Sequence, residues 1–182
     1  MLTDANLSPL PVYAPAISLV AGAGVAIQVG SVLDLLGQGV GTAPQNIIGN
    51  ASLFGMDPGS GLLKPFFRTI IGVAAVTANS ATLNLQLQYA VDTGSGGNYQ
   101  PGTWNTIVET GTVSAANMAA NTIMPKLEFE PTFPYNVRPR FIRIYGVIPS
   151  ATNFTAGSIS SCLLVVGADE FAQKLAARNY TV

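Results

Sequence analysis

Ten residues, Thr82 to Val91, read TLNLQLQYAV and constrain the fold more than any other stretch of the chain. Leu83, Leu85, Leu87, Tyr89 and Val91 alternate with Thr82, Asn84, Gln86 and Gln88, the period of an extended strand with one apolar and one wet side. A helix would scatter those leucines around its axis. The following DTGSGG, Asp92 to Gly97, supplies a turn, and WNTIVE, Trp104 to Glu109, offers a second run suited to a pleated, half-buried surface. The pair reads as a long hairpin.

The rest of the chain repeats this style. A first strand is expected near Val25 to Val29, with Val25, Ile27 and Val29 on one face. FFRTIIGVAAV, Phe66 to Val76, is apolar on both faces and suits a central strand, or one covered by a second copy. TIMPKLEF, Thr122 to Phe129, is a strand broken or placed at an edge by Pro125. RFIRIYGVI, Arg140 to Ile148, and the run Ser158 to Val166 flank a turn-rich link, Pro149 to Gly157, and read as a second hairpin. Seven or eight such strands, separated by turn signals, predict an all-β jelly roll or β-sandwich.

Four segments stand apart from that pattern. Residues 1–15 carry Pro9, Pro11 and Pro15 and read as an extended arm placed to lie on a neighbour. Residues 37–61 are glycine-rich, with small apolar islands at Ile47, Ile48 and at Leu53, Phe54; a stretch this long either packs on its own domain or binds something. Residues 131–139, PTFPYNVRP, form a stiff connector. Residues 169–182 predict a short helical tail: Asp169 caps, Glu170 and Lys174 pair at i, i+4, and Phe171 and Leu175 share a face. One domain, 1–182, is expected, with residues 16–168 as its sandwich.

Composition narrows the function. Only 9% of residues are charged against 48% hydrophobic, where soluble domains carry roughly 25% charge. A surface so poor in charge has little repulsion to keep copies apart and suits life in an assembly. The net charge of −1 gives no footprint for nucleic acid. No run approaches the ~20 apolar residues of a membrane span, and the opening MLTDANLSPLPVYAP lacks the basic region of a signal peptide.

Catalytic chemistry finds few candidates. The chain has no histidine, and its single cysteine, Cys162, lies in the apolar run ISSCLLVV and reads as a buried thiol. Glu128 and Glu130 alternate on one strand, as a solvated edge does more often than a glycosidase pair. Asp92 reads as a turn residue rather than a calcium ligand. Tyr89, Tyr99 and Trp104 would suit a sugar platform, but a Trp104 plugging the sandwich core is favoured. Arg138 and Arg140 are expected to bridge to Glu128 or Glu130, or to meet an acidic partner. No enzyme, no cofactor and no metal is expected.

Taken in order, MLTDANL, GQGVGTAPQNIIGN, LNLQLQYAVD with TWNTIVETG, PTFPYNVRPRFIRIYGVIPSATNFTAGSIS and the closing AARNYTV resemble the capsid cement, or decoration, proteins of short-tailed bacteriophages. The likeness spans nearly the whole chain, and its specificity lies in the combination of pieces. It implies a jelly-roll or β-sandwich fold, a small homo-oligomer with a dimer favoured over a trimer, and the major capsid protein as partner. The place it implies is the outer surface of the virion, after synthesis in the host bacterial cytoplasm. Shorter members lack much of 37–61.

The expected function is a structural virion protein that cements neighbouring capsid subunits. The alternative is a carbohydrate-binding β-sandwich of a head fibre or tail accessory protein, stacking sugar on Tyr99 and Trp104. Candidate subunit or capsid contacts are Leu7, Leu10 and Tyr13 in the arm, Ile47, Ile48 and Phe54 in the islands, and Phe171, Leu175 and Tyr180 in the tail. Arg138 and Arg140 complete the set.

Overall fold

A computed structural model describes residues 2–3, 9–10, 12, 14–20, 26–34, 66–95, 99–129 and 140–166. They form an all-β structure of two antiparallel sheets. In chain order the strands are β1 (Leu2–Thr3), β2 (Ile17–Ser18), β3 (Ile27–Asp34), β4 (Phe66–Thr77), β5 (Thr82–Ala90), β6 (Asn105–Glu109), β7 (Val113–Ser114), β8 (Leu127–Glu128), β9 (Phe141–Val147) and β10 (Phe154–Val166). One sheet runs β1-β10-β4-β8 with β2 also on β10; the other runs β3-β9-β5-β6 with β7 also on β5.

The alternation expected over Thr82 to Val91 holds in β5 from Thr82 to Leu87. At a register shift between Leu87 and Gln88 it breaks: Gln88 and Ala90 are buried, and Val91, expected on the apolar face, lies past the strand and is exposed. Leu83, Leu85 and Leu87 are wholly buried, and β6 pairs with β5 antiparallel, Gln86 opposite Glu109 and Gln88 opposite Thr106. On the other side of β5 lies β9, with Leu87 opposite Ile144 and Gln86 opposite Tyr145. Leu83, Leu85, Leu87, Ile142 and Ile144 from this sheet share one apolar cluster with Phe67, Ile71, Ile159, Cys162 and Leu164 from the other. The two sheets therefore close on a common core, an arrangement compatible with a β-sandwich.

Four further expectations need correction. The strand expected near Val25 to Val29 is β3, third in the chain, which runs from Ile27 on to Asp34 through a register shift between Val29 and Leu33, with Val25 outside the described residues. Gly30, inside that irregularity, takes φ +74°, a backbone conformation that side chains resist. The second hairpin does not form: β9 pairs with β3 and β5, whereas β10 pairs with β4, β1 and β2. The link after β9 crosses from one sheet to the other, because both strands have an apolar side that the shared core takes up. Phe154 is buried in that core, so β10 begins inside what reads as loop.

The third correction concerns the arm. Leu2, Thr3 and Leu10 of the arm lie on this chain's own β10: Leu2 pairs with Val166 and Thr3 with Val165. Leu10 and Cys162 exchange backbone hydrogen bonds at 3.3 and 2.7 Å, and the Leu10 side chain is buried in the core. The fourth concerns Trp104, which stands outside the core cluster, half-buried. The edge reading of Pro125 holds: the segment beside β4 bonds Met124 N–H to Thr69 O, then gives only the two-residue β8 beyond the proline. Residues 37–61, 131–139 and 169–182, with the loop, connector and tail expected there, lie outside the described residues.

Candidate functional site

Period two sends the core residues of β5 and β9 inward and leaves Asn84, Gln86 and Gln88 with Arg143 and Tyr145 on the opposite face. The register sets these side chains side by side, Gln88 opposite Arg143 and Gln86 opposite both Tyr145 and Glu109. They form a directional chain of hydrogen bonds. Arg143 Nε donates to Gln88 Oε1 at 2.9 Å, Gln88 Nε2 to Gln86 Oε1 at 2.8 Å, and Gln86 Nε2 to Glu109 Oε2 at 3.2 Å. Asn84 Nδ2 also donates to Glu109 Oε2, at 2.9 Å. A carboxylate only accepts, so Glu109 fixes which end of each amide faces it, and that orientation passes along the chain to the guanidinium.

Two aromatic rings hold the same guanidinium. Its central carbon lies 4.1 Å from the Trp104 ring centroid and 4.2 Å from that of Tyr145, within cation–π range. Partial burial lowers the Arg143 pKa from its ordinary value, while the Tyr145 hydroxyl acts in the opposite direction. At neutral pH the group remains a cation.

Arg140 occupies a different environment. Its guanidinium lies 3.4 Å from the Tyr99 ring centroid, and Nη1 donates to Asp92 Oδ2 at 3.3 Å. The other Asp92 oxygen accepts the backbone N–H groups of Gly94 and Gln100, at 2.9 and 3.0 Å. These donors, Gly94 foremost, lower the Asp92 pKa below its ordinary 3.8 against the opposing effect of burial. Arg140 thus bridges to Asp92, a partner not expected from the sequence, and both Asp92 oxygens are engaged by N–H donors; Glu130, one of its expected partners, lies outside the described residues.

The opposite sheet presents different chemistry. β2, β4 and β10 contain one charged residue between them, Arg68. Val73 and Val76 near the end of β4 are 56% and 52% exposed, Ile123 beside β4 is 45% exposed, and Val20 after β2 is 57% exposed. Leu83 and Leu85, by contrast, are completely enclosed. Cys162 is buried, accepts a hydrogen bond from the Thr69 hydroxyl at 3.3 Å, and has its pKa pushed up to about 12 by burial.

Of the candidate contact residues, Leu10 belongs to this chain's core and Arg140 to the Asp92–Tyr99 cluster. Leu7, Tyr13, Ile47, Ile48, Phe54, Arg138, Phe171, Leu175 and Tyr180 lie outside the described residues. The Arg143–Trp104–Tyr145 cluster escaped the sequence reading. Gln88 opposite Arg143 was its one legible signal, and only once the pairing of β5 with β9 is known.

Among the described residues no group of three or more His, Cys, Asp or Glu side chains gathers as a metal set, and no helix is long and apolar enough to cross a membrane. No protein-family model matches the chain, and no curated protein matches it in sequence.

Proposed function

We propose that this protein is a non-enzymatic component of a phage particle that decorates the outside of the capsid and cements adjacent major capsid protein subunits. The observation that carries the reading is the set of exposed aliphatic side chains on the sheet of β2, β10 and β4, where those strands hold a single charge. They are Val73 and Val76 near the end of β4, with Val20 after β2 and Ile123 beside β4. Exposed β-branched side chains on a nearly charge-free sheet favour association with protein. The 9% charged composition supports the same reading, as does the resemblance to short-tailed phage cement proteins. In this proposal the two sheets form a jelly roll, and the protein is a small homo-oligomer, a dimer before a trimer.

The cementing would come from repetition: several modest contacts per copy, multiplied by capsid symmetry, keep unbound contacts at high effective concentration. The test is reconstitution. Expanded heads of the parent phage lacking this protein are mixed with purified protein and imaged by electron cryomicroscopy. Saturable density on the outer surface is expected, weakened in a Val73→Asp/Val76→Asp variant that still melts cooperatively. Bare shells overturn the reading.

A second reading, carbohydrate binding, gains from Trp104 standing outside the core and Tyr99 being 56% exposed. Both rings already carry an arginine, which leaves less of each aromatic surface for a sugar. Saturable glycan-array binding that is lost on Trp104→Ala would favour it.

A further inference from the structure

The two arginine clusters differ in one respect. Arg140 lies against Tyr99 and has the Asp92 carboxylate as counterion. Arg143 lies against Trp104 and Tyr145 and, among the described residues, has only the neutral Gln88 amide as hydrogen-bond partner. Among the described residues its two terminal nitrogens meet no acceptor.

The hydrogen-bond chain ending on Glu109 holds the Nε edge of Arg143 inward against the sheet, and the rings fix its plane. What remains is the edge formed by the terminal nitrogens, the part of a guanidinium whose fork matches a carboxylate. Arginine, tryptophan and tyrosine are also the residues that dominate protein contact energies. A pleated strand face of this kind suits a surface that meets another surface.

We propose that the outer face of the β3–β9–β5–β6 sheet docks a protein partner, with Arg143 receiving an Asp or Glu carboxylate from that partner's surface. The inference rests on the decoration reading, and the partner it names is an acidic patch of the shell protein. It assigns this sheet face a role distinct from that of the exposed aliphatic side chains of the other sheet. One sheet supplies apolar area, and the other supplies a directional ionic contact that sets how the molecule sits.

The test uses the same shells with wild type, Arg143→Gln and Arg143→Lys, each followed by binding isotherm and melting temperature. Arg143→Gln is expected to weaken shell binding by about tenfold or more, since removing one partner of a desolvated charge pair strands the other. Arg143→Lys keeps charge without the planar fork and falls between. The gap between wild type and Arg143→Gln narrows as salt rises.

Wild type that leaves shells bare overturns the decoration reading and this inference with it. Wild type that binds while Arg143→Gln binds equally well overturns this inference alone. If Arg143→Gln does not fold, Arg143→Lys decides, and undiminished binding overturns it. A variant that changes only the protein's own oligomeric state, with shell affinity intact, assigns the face to a second copy and also overturns the inference.

Discussion

The Pro9 carbonyl accepts a hydrogen bond from Ser31 N–H at 2.9 Å, and the neighbouring Gly30 lies so close to that carbonyl that a Cβ there would collide with it. The proline-rich start of the chain is thereby fastened to the irregular middle of β3. Gly30 also takes φ +74°, so Gly30→Ala meets two penalties at once. It is expected to lower unfolding free energy by about 2–3 kcal/mol, read as a shift in urea midpoint. A midpoint equal to wild type would mean that Pro9 is not held there.

Core truncation separates the two ends of β5. Leu87 is fully buried between facing sheets, and Leu87→Ala should cost about 2–5 kcal/mol through lost transfer energy and a residual cavity. Val91, just past the strand, is 40% exposed. Its replacement by Ala should stay within about 0.5 kcal/mol. Paired urea melts check both, and equal losses would contradict the strand's placement.

The Asp92 carboxylate has a lowered pKa in the folded chain because N–H donors and Arg140 favour its charged form. A depressed acidic pKa contributes stability that is fully present above the unfolded value, ordinarily 3.8, and is lost as pH falls through the folded one. Melting temperature should therefore drop as pH is lowered below about 4, and Asp92→Asn should flatten that part of the profile. An unchanged acid slope in Asp92→Asn would assign the slope to other carboxylates.

Cys162 should be silent toward thiol reagents. Burial raises its pKa to about 12, and the thiolate is the reactive form. At pH 8 the native protein is expected to leave an aromatic disulfide reagent unreacted over minutes, while urea-unfolded protein reacts at once. Rapid native labelling would show that β10 opens locally without global unfolding.

The local alternation of β5 and the breaking effect of Pro125 were legible because period and proline act within a few residues. Partners across sheets were not. Arg140 and Asp92 are separated by 48 positions, and nothing in either neighbourhood distinguishes that pair from a bridge to Glu128. The link after β9 carries the same turn residues whether it closes a hairpin or a corner between sheets, so composition alone misreads it. Trp104 invited a core reading by its size, but Arg143 opposite Gln88 draws it to the outer face instead. The exposed end of β4 was foreshadowed by its two apolar faces, with only one core to fill.

That corner between β9 and β10 also dictates an order of events during synthesis. β4 emerges early, yet its long partner β10 reaches as far as Val166, and the Ser160 hydroxyl reaches the Ile70 carbonyl from 90 positions downstream. A nascent chain must carry an apolar strand with one side unclaimed until β10 has left the ribosome, a delay typical of topologies dominated by distant pairings. Rates of translation and chaperone supply, rather than equilibrium stability, should then govern how much of this protein reaches its folded form in the cell.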